Sequence, residues 1–112
     1  MNRKGMIHQG NFYKLPLIHI SGQNGDGTYR QELLNQISVG EQLKIRYYSD
    51  GVKTYVGIYN MNGSMLGDLP EDFTEEFIRK IQHYGNPLVR VSAIEGIGTD
   101  ANKGLIVTLD FH

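Results

Sequence analysis

The segment that decides the fold is EQLKIRYYSDGVKTYVGIYNM, residues 41–61. Apolar and polar residues alternate on both sides of Asp50-Gly51, which is typical of two strands that each bury one face. Asp-Gly is also a preferred pair for a two-residue type I′ turn. The sequence therefore predicts a β-hairpin in which Ser49 lies opposite Val52.

This register gives the hairpin two different faces. One is mostly apolar, as a core requires, whereas the other combines tyrosines with basic residues. Tyrosine rings stack on bases, and lysine and arginine contact phosphates, so this face is a candidate interface for single-stranded DNA. An ordinary solvated β-surface and an aromatic patch for a protein partner or a second copy are the alternatives. The candidate residues are Lys44, Arg46, Tyr48, Lys53, Tyr55 and Tyr59.

The residues before the hairpin divide into an arm and a strand. Residues 1–14 are polar and show no clear period, which predicts a loosely ordered N-terminal arm. Residues 15–21, LPLIHIS, alternate and predict a first strand, in which His19 is interpreted as a half-buried structural histidine. Residues 15–112 are then expected to form a single domain, because the chain is too short for two ordinary ones.

Two helices are predicted, one on each side of the hairpin. Thr28 as the N-cap and Gln31 three residues later match a capping box for a short helix that ends near residue 37. Residues 71–84 place apolar side chains on one stripe, with acids early and bases late, as the helix dipole favours. Gly85 is a natural stop for this second helix.

Three further strands are predicted after the hairpin. They cover residues 64–67, 88–94 and 105–111, with a glycine-bearing loop at 95–104 between the last two. The resulting fold is α+β and mainly β. About six short strands and two helices suggest a small, partly open barrel of the OB-like or SH3-like kind.

Composition limits the function. The 112 residues include 11 Lys and Arg against 12 Asp and Glu, a formal net charge of −1, so nucleic-acid binding needs a local basic face. The absence of cysteine excludes a disulfide framework and cysteine-ligated zinc. The sequence has no apolar run near the roughly 20 residues of a membrane span and no apolar signal region. A cytoplasmic protein without membrane association is therefore expected.

Catalytic signals are weak. The four histidines lack metal-ligand spacing such as HExxH, and no serine lies in a GxSxG elbow. The GDG and GIG triplets are too short and acidic for a phosphate loop. The adjacent acids at 71–72 and 75–76 are explained by the dipole of the second helix. The sequence therefore predicts a non-catalytic binding module, not an enzyme, that needs no cofactor and no metal.

The order of elements from residue 17 to residue 111 carries a family resemblance. The segments that carry it are Gly27-Thr28-Tyr29-Arg30, Val39 to Ile45, Tyr55 to Tyr59 and Asn62 to Pro70. Together they resemble the HIRAN domain, a small module found alone in bacteria and at the N-terminus of some eukaryotic fork-remodelling helicase-like proteins.

The resemblance implies an OB-like barrel. In the best-understood type of member it also implies a pocket for the 3′ end of single-stranded DNA, in which Tyr29 and Arg30 would take part. The second family motif, E-P-x-N-P-Y-D-x-N-A-I, is absent, because the hairpin here has YYSDGVKT, residues 47–54. The resemblance therefore supports the fold better than it supports 3′-end recognition.

Overall fold

The computed structural model describes residues 7–96 and 103–112, with the backbone alone for residues 7–9. Seven antiparallel strands form one sheet in these ranges, and two helices pack against it. The strands are β1 (Ile7–Gln9), β2 (Phe12–Pro16), β3 (Gln42–Ser49), β4 (Thr54–Tyr59), β5 (Met65–Asp68), β6 (Leu88–Glu95) and β7 (Gly104–Asp110). The helices are α1 (Arg30–Leu33) and α2 (Thr74–Tyr84), the second preceded by a 3-10 turn, Glu71–Phe73. The predicted α+β, mainly β class is confirmed, with seven strands rather than six.

The sheet curls until its two sides meet. Its order is β1-β2-β7-β6-β3-β4-β5. Directly after β2, the N–H of Leu17 donates to the carbonyl oxygen of Leu105 at 2.9 Å. Ile18 then exchanges two backbone hydrogen bonds with Asp68 of β5, with N···O distances of 2.8 and 2.9 Å. Because the chain leaving β2 bonds to β7 and to β5, the sheet forms the partly open barrel that the sequence predicts.

The core lies inside this curled sheet and beneath α2. Val56, Ile58 and Val107 are fully buried, as strand alternation requires. Phe73 and Phe77 cover one side of this core, and the ring centroid of Phe73 lies 4.9 Å from that of Tyr13 in an edge-to-face contact. The predicted second helix is confirmed as the 3-10 turn followed by α2. No helix within the described ranges is both long and apolar enough to cross a membrane.

The prediction of a loosely ordered arm over residues 1–14 is wrong for the part that the structure describes. Residues 7–9 and 12–16 form β1 and β2, and the side chain of Tyr13 is fully buried. Tyr13 and Leu15 continue the alternation of the predicted first strand toward the N-terminus, and they occupy the core face. Residues 1–6 lie outside the described residues, as do residues 97–102 of the predicted glycine-bearing loop.

The hairpin turn is longer than predicted and covers residues 50–53. The Oδ1 atom of Asp50 accepts the backbone N–H groups of Val52 and Lys53, each at 2.8 Å. These hydrogen bonds lower the pKa of the Asp50 carboxyl group. Gly51 has a φ of 94°, but Asp50 does not have the positive φ that a type I′ turn also needs. The Asp50 side chain therefore stabilises a wider loop than the predicted two-residue turn.

The wider loop shifts the register without exchanging the two faces. Ser49 lies opposite Thr54 instead of opposite Val52, so the pairing moves by two residues. Side chains alternate with a period of two along a strand, so each residue stays on its predicted side. The apolar and the aromatic-basic faces therefore keep the compositions that the sequence predicts.

The capping box predicted for the first helix is not formed. The N-cap position of α1 is Tyr29, and it makes no side-chain cap hydrogen bond. Gln31 instead donates its amide N–H groups to the carbonyl oxygens of Ile20 at 2.9 Å and of Lys103 at 3.0 Å. The helix is also shorter than predicted. Gln31 connects two distant segments instead of closing a cap at Thr28.

Candidate nucleic-acid interface

The side of the β3–β4 hairpin that points away from the barrel interior brings most of the predicted residues together. We call this surface the outer face. In the observed register, Tyr48 lies opposite Tyr55, and Lys44 lies opposite Tyr59. The members of the outer face are Lys44, Arg46, Tyr48, Tyr55, Gly57 and Tyr59.

Two ring contacts organise the outer face. The ring centroids of Tyr48 and Tyr55 are 5.5 Å apart, with an angle of 31° between the ring planes. The guanidinium carbon of Arg46 lies 5.0 Å from the ring centroid of Tyr59. This distance is within the range of a cation–π interaction, so positive charge lies directly over an aromatic surface.

Gly57 is the member of the outer face that leaves room for its neighbours. A Cβ atom at this position would lie 2.8 Å from Met65 Cε and 2.8 Å from the hydroxyl oxygen of Tyr59. The absence of a side chain at Gly57 therefore lets the Tyr59 ring lie across the strand. A residue with a side chain here would displace that ring.

Two clefts meet at Tyr59. The larger has a volume of about 420 Å³ and is lined by Arg30 together with Tyr59 and Gly63. The smaller has a volume of about 240 Å³ and is lined by Lys44 and Arg46, and again by Tyr59 and Gly63. Tyr59 thus separates two adjoining hollows, each of which has a positive side chain in its wall.

Arg30 is held in place by three hydrogen bonds. Its Nε donates to Asn24 Oδ1 at 2.9 Å, its Nη1 to the carbonyl oxygen of His19 at 2.7 Å, and its Nη2 to Met65 Sδ at 3.0 Å. These contacts reduce the conformational entropy that a free arginine loses on binding. Arg30 therefore presents its charge to the larger cleft in a fixed position.

The larger cleft also contains an acidic side chain. Asp26 lines it, and the backbone N–H of Thr28 donates to Asp26 Oδ1 at 2.9 Å. This hydrogen bond lowers the pKa of the Asp26 carboxyl group. The potential in the larger cleft is therefore mixed, whereas the named charges of the smaller cleft are both positive.

A buried carboxylate at the border of the outer face was not identified from the sequence. Asp68 is 2 % exposed, and its Oδ1 accepts the hydroxyl of Tyr48 at 2.8 Å. Its Oδ2 lies 2.7 Å from Nδ1 of His19. Burial raises the pKa of the Tyr48 hydroxyl, and the neighbouring Asp68 raises it further. Asp68 therefore fixes both a tyrosine of the outer face and a histidine that lies 49 residues earlier in the chain.

Two predicted residues line neither of the clefts at Tyr59. Lys53 lies in the hairpin loop with its Nζ 3.3 Å from Glu71 Oε1, and its pKa is raised by this contact. It lines a separate hollow beside α2, which also contains Thr74. Tyr29 is 52 % exposed at the start of α1 and lines neither cleft at Tyr59.

The described residues offer no ready metal site. Across 7–96 and 103–112, no three histidine, aspartate or glutamate side chains cluster closely enough to hold a metal ion. Within the described ranges, the pair formed by His19 and Asp68 has no third side chain of these types close enough to complete a metal site. What the outer face offers is therefore aromatic surface, positive charge and hydrogen-bonding groups.

Comparisons with known proteins returned no relative of this chain. No protein-family model matches it, and neither a curated protein nor a solved structure does so. The resemblance to the HIRAN domain stays a prediction from the sequence.

Proposed function

We propose that this protein is a non-catalytic module that binds single-stranded DNA on the outer face. The observation that carries the proposal is the position of Tyr59 between two clefts, with Arg46 over its ring and Arg30 in the far cleft wall. A base stacks on the exposed aromatic surface, and the strand on either side of that base lies in the two clefts. Lys44 and Arg46 contact its phosphates on one side.

The chemistry of a single strand fits this surface better than that of a duplex. An aromatic ring stacks only on a base whose flat face is exposed, which a paired helix does not offer within its stack. Stacking contributes about 1–3 kcal/mol per base and tolerates any sequence. Only a few positive residues are available, so we expect weak, salt-dependent binding with little sequence preference.

The experiment is fluorescence anisotropy with a short single-stranded DNA at two salt concentrations. We expect Tyr59→Leu to weaken binding about tenfold, because the stacking surface is removed. Arg46→Gln should weaken binding less and should also reduce the dependence of affinity on salt, because fewer counterions are released.

Two matched control variants make this test specific. Tyr47→Leu removes an exposed ring from the paired strand β3, on the opposite face of the hairpin, and Arg79→Gln removes an exposed charge from α2. Both should bind as the wild type does. If Tyr47→Leu weakens binding as strongly as Tyr59→Leu, the outer face is not the binding surface.

The HIRAN-like form of the proposal adds recognition of a free 3′ end by Tyr29 and Arg30. Of the two residues, Arg30 lines the larger cleft and Tyr29 does not. Comparing oligonucleotides with a free and a blocked 3′ end tests this form separately. Equal affinity for both would remove end recognition and leave binding at the outer face intact.

A second candidate function is association with another protein strand, including one from a second copy. In the described part of the chain, β3 pairs with β6 only through Gln42 and Leu43. Its pairing with β4, by contrast, continues as far as Ser49. The later part of β3 thus has an edge suited to strand addition, and Tyr47 there is 50 % exposed. Sedimentation velocity at increasing concentration tests this, and a monomer throughout would contradict self-association.

A further inference from the structure

His19 has a backbone conformation that its residue type seldom adopts. Its φ is 58°, and no other non-glycine residue in the described ranges has a positive φ. This left-handed conformation carries strain for residues other than glycine, although histidine is among the types enriched there. Ile18 is paired with Asp68, and the carbonyl oxygen of His19 accepts a hydrogen bond from Arg30, so the surroundings hold His19 in this state.

The hydrogen bond to Asp68 determines which side of the imidazole ring is available. The Nδ1 atom lies 2.7 Å from the Asp68 carboxylate, which is an acceptor, so Nδ1 carries the proton that is shared with it. The side chain of Asp68 is only 3 % exposed, whereas that of His19 is 47 % exposed. The buried side of the ring is thus used for support, and the opposite edge with Nε2 forms its exposed part.

The ring of His19 also adjoins the outer face. Its centroid lies 6.0 Å from that of Tyr55, and Tyr55 in turn contacts Tyr48. The guanidinium of Arg30 lies against the backbone of His19. The half-exposed imidazole therefore lies next to an aromatic ring, and a fixed positive charge lies at the backbone carbonyl of the same residue.

We propose that His19 is a phosphate-binding residue of the outer face, in which its protonated ring donates Nε2–H to a phosphodiester oxygen of the bound strand. This inference rests on the nucleic-acid binding proposed above. A charged N–H···O⁻ hydrogen bond is stronger than a neutral one, and the fixed ring does not have to be ordered on binding. The strain at His19 then has a function, since it aims the ring outward.

The proposed contact requires a proton on Nε2 of His19. Asp68 on β5 and Tyr55 on β4 contact the ring itself, Arg30 on α1 contacts the His19 carbonyl oxygen, and Tyr48 on β3 shares Asp68 with the ring. Asp68 is the acidic group in direct contact, and Arg30 is the positive one. A neutral ring has no proton on Nε2 while Nδ1 donates to Asp68, so the phosphate contact requires the protonated ring.

The test uses His19→Asn, with His83→Asn as the matched control. Asparagine tolerates a left-handed backbone, and its amide nitrogen takes the place of Nδ1 beside Asp68, but it has no counterpart of Nε2. His83 is an exposed histidine at the end of α2. The probes are one single-stranded DNA with ordinary phosphodiester linkages and one of the same sequence with uncharged methylphosphonate linkages.

His19→Asn should bind the phosphodiester strand about fivefold to tenfold more weakly than the wild type. The two proteins should bind the methylphosphonate strand equally, and His83→Asn should behave as the wild type. If His19→Asn weakened binding of both DNA probes to the same extent, His19 would contact something other than phosphate.

The outcomes separate this inference from the proposed function. If His19→Asn binds as the wild type while Tyr59→Leu does not, the role of His19 is overturned and the proposed function stands. If the wild type binds no DNA, the proposed function fails, and inorganic phosphate becomes the probe in an NMR titration of the imidazole nitrogens. A shift of Nε2 of His19 without one at His83 would then support a phosphate site, and no shift would overturn it.

Discussion

The two faces of the β3–β4 hairpin are stabilised in different ways. The inner face carries Ile45, Val56 and Ile58, which pack into the barrel and need only apolar neighbours. On the outer face, Tyr48 is held by Asp68, which belongs to another strand and also holds His19. Apolar burial depends on alternation within a strand, whereas directional hydrogen bonds depend on atoms that other segments place. The inner face should therefore determine stability, and the outer face should determine binding.

The largest effect on the free energy of unfolding should follow from truncating a buried side chain of the inner face. Ile58 is fully buried, so Ile58→Ala should lower the free energy of unfolding by about 2–5 kcal/mol through lost burial and a residual cavity. Urea unfolding measures this loss. Under conditions in which the variant stays folded, its affinity for single-stranded DNA should equal that of the wild type.

A control on the other face sharpens the contrast. Lys44 is an exposed member of the outer face, and Lys44→Ala should change the free energy of unfolding by less than about 0.5 kcal/mol while it weakens DNA binding. The division between the two faces would be wrong if Ile58→Ala abolished binding with the fold intact, or if Lys44→Ala destabilised the fold as strongly.

The inner face could be predicted from the sequence for a simple reason. Alternation along β3 and β4 identifies the buried residues whatever the loop length, because a shift of two residues keeps every side chain on its side. The loop length could not be predicted, because the hydrogen bonds that the Asp50 carboxylate accepts from the backbone compete with the turn that Asp50-Gly51 usually forms. Tyr13 and Leu15 had the same alternation, and extending that pattern past residue 15 would have identified β2.

The cluster of Asp68 with Tyr48 and His19 could not be predicted from strand alternation. His19 and Asp68 are 49 residues apart, and their contact exists only because Ile18 pairs with β5 when the barrel forms. The sequence interpretation placed His19 as a half-buried structural histidine, which agrees with its 47 % exposed side chain, but it did not identify the buried acid to which the ring is linked. Arg30 was predicted from the family resemblance. Its hydrogen bonds to Asn24 and Met65 likewise depend on the fold.

The second largest effect should come from Asp68→Ala. The change leaves the Tyr48 hydroxyl and the His19 Nδ1–H without their acceptor, so we expect a loss of about 2–3 kcal/mol in the free energy of unfolding. Asp68→Asn keeps one acceptor oxygen and should cost less. A double-mutant cycle with Tyr48→Phe measures the coupling directly, and strictly additive costs would show that Asp68 does not support Tyr48.

Substitution of Gly67 or Gly57 should have a smaller effect on stability. The two glycines differ in whether a backbone atom or a side chain lies closest to the added Cβ atom. A Cβ atom at Gly67 would lie 2.7 Å from the backbone oxygen of Ile18, which cannot move without opening the closure of the barrel. Gly67→Ala should therefore cost about 1–3 kcal/mol of stability. A Cβ atom at Gly57 would meet only the flexible ends of Met65 and Tyr59, so Gly57→Ala should be milder in stability and should weaken DNA binding by displacing Tyr59.

Unfolding and anisotropy measurements on both alanine variants check this pair. The comparison fails if Gly57→Ala is the more destabilising of the two. It also fails if Gly67→Ala changes affinity while Gly57→Ala does not, since Gly67 lines neither cleft at Tyr59.

The smallest effect concerns the response of Tyr48 to alkaline pH. Its pKa in the folded protein is raised above the unfolded value of about 10 by burial and by Asp68. Below about pH 10 both the folded and the unfolded state keep the Tyr48 proton, and the contribution of Tyr48 to stability is complete. Tyr48→Phe should therefore cost about 1 kcal/mol at neutral pH.

Above about pH 10 the unfolded chain loses the Tyr48 proton first, so the stability of the wild type falls. Tyr48→Phe lacks this loss, and its difference from the wild type in urea unfolding should narrow as the pH rises. A difference that stays constant up to about pH 11 would contradict the hydrogen bond to Asp68 as the support of the outer face.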